Sequence, residues 1–354
     1  MCENSENTLP HHEHPHTHPE NKKGCGSGCV ITAVISVALL SACLIIGGIL
    51  LLFTSVFSSD SGTLTGKLGG FSSADGLVER FVEGGGFSSN KIALVEIKGM
   101  IIDAGGGSSM WQIADSALIV KQLTRAQNDP DVKAVILYLD TPGGGVTAAD
   151  NIYKKVLDVR NSGKKVVSYM NTMAASGGYY VAVGSDFVMA HRLCITGSIG
   201  VIMQTYNYHS LLGKIGMHTE TYKSGKMKDM LDGSRVRTEE EKVLAQKIVD
   251  KIYSEFADIV AKGRKNLPAE KIKTTEIGDG RIFLGSEALE LGMVDANGFY
   301  EDAIVETLNL AGIPLEDYKI ISYKRVMSFS EIFSQMSSAE NKISLELSNI
   351  KSWD

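Results

Sequence analysis

The chain has 354 residues, a net charge of −6 and 44 % hydrophobic residues. That length accommodates one large domain and a membrane anchor. The acidic balance and scattered basic residues argue against a nucleic-acid surface. A single cysteine beyond residue 43, Cys194, excludes a disulfide scaffold.

Residues 1–28 form a polar tail in which His11, His12, His14, His16 and His18 crowd together near Cys2 and Cys25. Such a tail cannot bury a core and is expected to be disordered. Its imidazoles could bind Zn or Ni, but weakly without a preformed geometry, so no metal and no organic cofactor is expected in the chemistry. Residues 29–57 are almost wholly apolar, and no charge occurs between Lys23 and Asp60. A run of ~20 apolar residues spans a bilayer, whereas the apolar core of a cleaved signal peptide is usually ~7–15 residues. Lys22 and Lys23 before the span place the tail in the cytoplasm and the bulk of the chain outside a single-pass cell membrane. Residues 58–90 are rich in Gly, Ser and Thr and read as a linker, with one amphipathic helix allowed at Leu77–Val82.

Regular structure is expected from residue 91. Lys91–Ile97 is a strand ending at Gly99, Gly105–Ser109 a flexible loop, and Ala114–Ala126 a helix stopped by Asp129-Pro130. Ala134–Leu139 has the continuous apolar character of a strand buried on both faces of a parallel sheet. After Asp140-Thr141-Pro142-Gly143-Gly144-Gly145 comes a helix with Thr147 as its cap and Ile152, Val156 and Val159 facing inward. Lys165–Met170 and Phe187–Ala190 are further strands. Strand alternating with helix predicts stacked βαβ units, an α/β fold. Thr238-Glu239-Glu240-Glu241 opens a long helix with Leu244, Ile248, Ile252, Phe256 and Ile259 on one face. Ser286–Leu291 is a short helix and Met293–Asp295 a strand. The main α/β domain is expected to span 91–323, and 324–354 to be a peripheral tail.

The stretch Met173-Ala174-Ala175-Ser176-Gly177-Gly178-Tyr179-Tyr180 carries the chemistry. A strand ending in small residues and turning into a helix exposes the Ser176 hydroxyl beside the free N–H of Gly177, where an oxyanion could bind. An N–H from the 142–145 loop could supply a second donor, since glycine permits positive φ and close backbone approach. Serine needs a base. His191, His209 and His218 lack the setting of a triad, which leaves Lys223, Lys226 and Lys228, clustered after a strand-like segment. A lysine at pKa ~10.4 is neutral about once in ~2,500 molecules at pH 7, and burial can lower it by the ~3 units a serine–lysine dyad requires.

DTPGGGV (140–146), MAASGGYY (173–180), TGSIGV (196–201), YKSGKMKD (222–229) and the run 279–298 together resemble the signal peptide peptidase A family. These are membrane-anchored S49 serine peptidases of the ClpP/crotonase-like fold. The resemblance covers roughly Ile92 to Tyr323. It implies Ser176 as nucleophile, Lys228 as general base, Gly143 and Gly177 as oxyanion donors, and Ser198 as the hydroxyl that orients the lysine. Met227 stands where many members have tyrosine, and Met230–Ser234 replaces a Gly-Ser-Pro-Phe element, which keeps Lys223 open as the base.

The implied activity is a serine endopeptidase acting on extended peptides such as released signal peptides. In the family it resembles, serine and lysine come from adjacent subunits, and the single copy of the motif set here then implies a homo-oligomer with shared active sites. A crotonase-like acyl-processing enzyme and a non-catalytic membrane-tethered scaffold are the alternatives.

Overall fold

A computed structural model describes residues 76–104 and 113–325. The His-rich tail (1–28), the membrane span (29–57), the first part of the linker, the 105–109 loop and nearly all of the C-terminal tail lie outside the described residues. Among the described residues, no helix is long and apolar enough to cross a membrane.

The elements in chain order are β1 (Leu77–Gly84), β2 (Lys91–Lys98), β3 (Met100–Ile102), β4 (Ile113–Asp115), α1 (Ser116–Asn128) and β5 (Val132–Thr141). Then come α2 (Val146–Asn161), β6 (Lys165–Ala175), α3 (Gly177–Ala182), β7 (Phe187–Ala190), β8 (Ile195–Gly197) and α4 (His209–Lys214). The last group is α5 (Glu239–Gly263), α6 (Ala269–Thr274), β9 (Ile282–Leu284), α7 (Gly285–Glu290), β10 (Ala296–Asn297), α8 (Tyr300–Ala311) and β11 (Lys319–Arg325). A central sheet runs β1-β11-β2-β5-β6-β7-β10, with β8 added to the far end of β6 and β9 beside β8. Strands β11, β2, β5, β6, β7 and β10 pair in parallel, while β1 closes the edge antiparallel to β11.

The parallel centre follows from the apolar runs. Val135, Ile136, Leu137 and Leu139 of β5 are fully buried, as are Val166, Val167 and Met170 of β6. Helix α2 turns Ile152, Val156 and Val159 into the core on one face, and α8 covers the other with Ile304 and Leu308. The chain is therefore an α/β protein with a central sheet.

Four local expectations are corrected. Leu77–Val82 is strand β1, not helix, so the sheet reaches back into the stretch read as linker. The α2 cap is Gly145, with Thr147 inside the first turn. The lysine cluster follows no strand, because residues 215–223 form turn and irregular backbone. Met293–Asp295 is not a strand either. Its polar groups are engaged outside a ladder of its own: the Met293 N–H bonds the Ala288 carbonyl at 2.8 Å, Tyr179 donates its hydroxyl to the Met293 carbonyl at 2.8 Å, and the Asp295 carboxylate takes the Val188 N–H at 2.8 Å and the Arg264 guanidinium at 2.6 and 2.8 Å.

Arg264 is nearly buried, so removing its charge leaves Asp295 half-sheltered without its bidentate partner. Arg264→Met is expected to lower unfolding stability by about 2 kcal/mol, the cost of leaving a charge-assisted pair unmade at a partly exposed site. Urea titration followed by circular dichroism measures it.

Candidate active site

Strand β6 ends at Ala175 and α3 starts at Gly177, which puts Ser176 at the turn between them. Its φ of 52° and ψ of −119° are rare for a side-chain-bearing residue. Strain of that kind costs about 1–3 kcal/mol and persists only where the surroundings impose it. Here the Ser176 N–H is held by the Gly197 carbonyl at 2.9 Å and its own carbonyl by the Tyr180 N–H at 2.9 Å. The hydroxyl has no hydrogen-bond partner among the described residues and sits half-buried at the mouth of a cavity of about 450 Å³.

The glycine loop lies directly against this elbow. A Cβ on Gly143 would come within 2.5 Å of the Gly177 nitrogen and 2.9 Å of Ser176 Cβ. One on Gly144 would strike the Ile101 carbonyl at 2.0 Å. Gly143 and Gly144 also have φ of 93° and 158°, so glycine is required twice over. The loop's outer edge is occupied by this chain's own β3, through Ile101 N–H to the Gly143 carbonyl and Gly145 N–H to the Ile101 carbonyl, both at 2.8 Å. Gly143 donates its N–H to Thr141 Oγ1 at 3.0 Å. The N–H groups of Gly144 and Gly177 have no partner among the described residues. The sequence leaves the second donor open within the 142–145 loop and the resemblance implies Gly143; in the structure the Gly143 N–H is engaged by Thr141, and the loop N–H without a partner among the described residues is that of Gly144.

Ser198 lines the same cavity at φ 50°, its N–H fixed to the Arg281 carbonyl at 2.7 Å. The cavity walls are apolar: Met100, Val146, Ala149, Ile252 and Phe256, with the Tyr180 ring 5.0 Å from that of Phe256. Neither ionisable group in the lining is a useful base. Tyr180 donates to Asp150 at 2.7 Å, and its burial, with that hydrogen bond, pushes its pKa far up. Asp279 is held below the usual carboxylate range by hydrogen bonds from Arg281. Burial pushes the Cys194 thiol up to about 12, so it is no rival nucleophile.

Among the described residues, no histidine lines this cavity. His191 packs against Phe299, and His209 and His218 line a separate cavity. The three lysines differ. Lys223 is paired with Asp229 at 2.7 Å and Lys226 with Glu240 at 2.8 Å. Lys228 is exposed and its amine has no partner among the described residues. None of the three lines the Ser176 cavity. The structure thus brings Ser176, Gly177, Gly143 and Ser198 together and leaves Lys228 apart from them.

The sequence pattern described as peptidase family S49 matches residues 158–314. A protein of Enterococcus faecium, provisionally named signal peptide peptidase SppA, is 37% identical over 264 residues, covering 74% of this chain and 75% of that protein. Protease 4 of Haemophilus influenzae is 33% identical over 215 residues, 61% of this chain and 34% of that protein. The chloroplastic serine protease SPPA of Arabidopsis thaliana is 34% identical over 224 residues, 61% of this chain and 32% of that protein.

Proposed function

The chain belongs to peptidase family S49, and from that premise we propose that it is a membrane-anchored serine endopeptidase with a Ser176–Lys228 dyad, built on a ClpP/crotonase-like fold. One observation carries the reading: a strained serine elbow and two backbone N–H groups without partners line one largely apolar cavity to which, among the described residues, neither a lysine nor a histidine contributes. Such a site is chemically complete once an amine is delivered to it.

In the reaction, the neutral Lys228 amine takes the Ser176 proton and Oγ attacks the peptide carbonyl. The oxyanion lies between the Gly177 N–H and the glycine loop, where Gly144 joins or replaces Gly143 as donor. Lysine returns its proton to the leaving amine. Water, deprotonated by the same lysine, then attacks the acyl-enzyme, and the second tetrahedral intermediate expels Ser176 Oγ, which takes the proton back from the lysine as the acid product leaves. Ser198 is placed to hold the amine in line. The walls from Met100 to Phe256 suit an apolar side chain of a peptide substrate. Released signal peptides, whose apolar core would suit these walls, are the proposed substrates.

Helix α5 supports delivery of Lys228 by a second copy. Near its start, Glu241 holds Arg235, which holds Asp229 next to Lys228. Farther along, Ile252 and Phe256 line the Ser176 cavity. From 241 to 252 the helix rises about 16 Å, more than a lysine side chain spans. The segment around the lysine also exposes Ile202, Tyr206, Tyr222 and Val236, apolar surface suited to burial against another subunit. The membrane span at 29–57 would tether the assembly, with the tail of 1–28 cytoplasmic and the catalytic domain outside.

A fluorophosphonate probe tests the reading on the detergent-solubilised full chain. Stoichiometric labelling at Ser176, blocked by excess peptide substrate, is expected. Absence of labelling in an intact oligomer would sink the serine-peptidase reading and favour acyl-processing or scaffold roles.

A further inference from the structure

Outside the cavity, the densest set of charged contacts surrounds the turn that carries Lys228. Asp229 accepts Lys223 Nζ at 2.7 Å and Arg235 Nη2 at 2.8 Å on one oxygen, and Arg235 Nε at 2.7 Å on the other. Arg235 Nη2 also reaches the Asp229 carbonyl at 3.1 Å. The other side of the guanidinium binds Glu241, Nη1 to Oε2 at 3.0 Å and Nη2 to Oε1. Glu241 is 1% exposed and closes the capping box of α5, taking the Thr238 N–H at 2.8 Å while Thr238 Oγ1 takes the Glu241 N–H at 3.2 Å. One guanidinium therefore ties the turn of residues 225–230 to the rigid end of a 25-residue helix.

We propose that Arg235 is a positioning residue for Lys228, clamping its turn to the α5 cap through Asp229 and Glu241 so that the amine is presented to a neighbouring subunit's Ser176. The inference rests on Lys228 as the base. Two physical effects combine. The fork fixes the backbone immediately beside Lys228, on a segment with no strand or long helix of its own. It also neutralises Asp229, whose unpaired charge next to Lys228 would favour the protonated amine and so oppose its work as a base. Hydrogen bonds from Arg235 and then Lys223 hold the Asp229 carboxyl well below the usual range, and those from Arg235 hold Glu241 down to about 2. Both carboxylates therefore stay charged, and the clamp closed, at neutral pH.

Subunit mixing separates positioning from general damage. Arg235→Met alone is expected to lose about 100-fold in kcat, the cost of misplacing a reacting group by about 1 Å, with KM and oligomer size kept. An Arg235→Met subunit still offers a sound Ser176 and fails only as a lysine donor. Co-assembled with Ser176→Ala, it should recover activity to the level of a Ser176→Ala plus Lys228→Ala mixture. Co-assembled with Lys228→Ala, it should stay inactive. Recovery with Lys228→Ala, or with neither, or wild-type kcat in Arg235→Met alone, overturns the proposal. Glu241→Gln, which can keep the bonds to Thr238 but weakens the fork, should fall in the same complementation class with a smaller loss, and covers the case in which Arg235→Met fails to assemble. Failure of the Ser176→Ala plus Lys228→Ala control would defeat delivery between subunits, not the clamp. Arg235 is then judged on kinetics alone: a kcat loss at constant KM retains it as a positioning residue, and a loss confined to KM removes it.

Discussion

Ser176→Ala is expected to reduce peptide hydrolysis by at least about 10⁴-fold while leaving oligomer size and melting temperature close to wild type. The size of the loss follows from nucleophilic catalysis, since removing the hydroxyl leaves only binding and the oxyanion donors to act on the substrate. The small structural effect follows from the site itself. Ser176 already sits at φ 52°, where alanine is strained to the same degree, because the penalty arises at Cβ, which both residues carry. Its hydroxyl has no hydrogen-bond partner among the described residues, so its loss strands no buried group. The elbow is held instead by backbone bonds to Gly197 and from Tyr180, which the substitution leaves in place. Hydrolysis of a fluorogenic apolar peptide, read beside size-exclusion and thermal melts, separates the two effects. Activity within tenfold of wild type would end the reading of Ser176 as nucleophile. A collapsed melting temperature would assign it a structural role.

The contrast between legible and illegible parts of this chain has a physical basis. Strands β5, β6 and β7 were readable because both their faces are buried, which forces a run of apolar residues that few other environments demand. The α5 start was readable because a capping box is a purely local arrangement, and Thr238 and Glu241 make it as their spacing predicts. Strand β1 was misread because Leu77, Val78, Phe81 and Val82 recur at helical spacing, while its strand character comes from β11, more than 230 residues away in the sequence. Strands β8, β9 and β10 are only two or three residues long and present no period to detect. The same division runs through the site. The elbow and the glycine loop are local chemistry, each written in consecutive small residues. The base is not. Lys223, Lys226 and Lys228 are alike as letters, and they part company only in the fold, where Asp229 and Glu240 engage the first two.

Lys228→Arg is expected to be as inactive as Lys228→Ala, although it keeps the positive charge. A guanidinium cannot shed its proton at usable pH, so it can neither accept the Ser176 proton nor pass it to the leaving amine. Lys223→Ala is the discriminating comparison. Lys223 is tied to Asp229 and to the Lys226 carbonyl, contacts that turn its amine into its own loop. Its removal should cost no more than about tenfold, because Arg235 still holds Asp229 through both carboxylate oxygens. An active Lys228→Ala beside an inactive Lys223→Ala would move the base to the earlier lysine. The mixing experiment goes further. A subunit lacking Ser176 still has Lys228, and one lacking Lys228 still has Ser176, so a lysine that crosses between subunits makes some sites whole in a mixture of two inactive proteins. A fraction of wild-type activity set by the mixing ratio is expected once subunits have exchanged. Exchange demonstrated by mass labelling with no return of activity would place serine and lysine in one chain. The 201–237 segment would then have to fold back over its own cavity, against the helix that now holds the two apart.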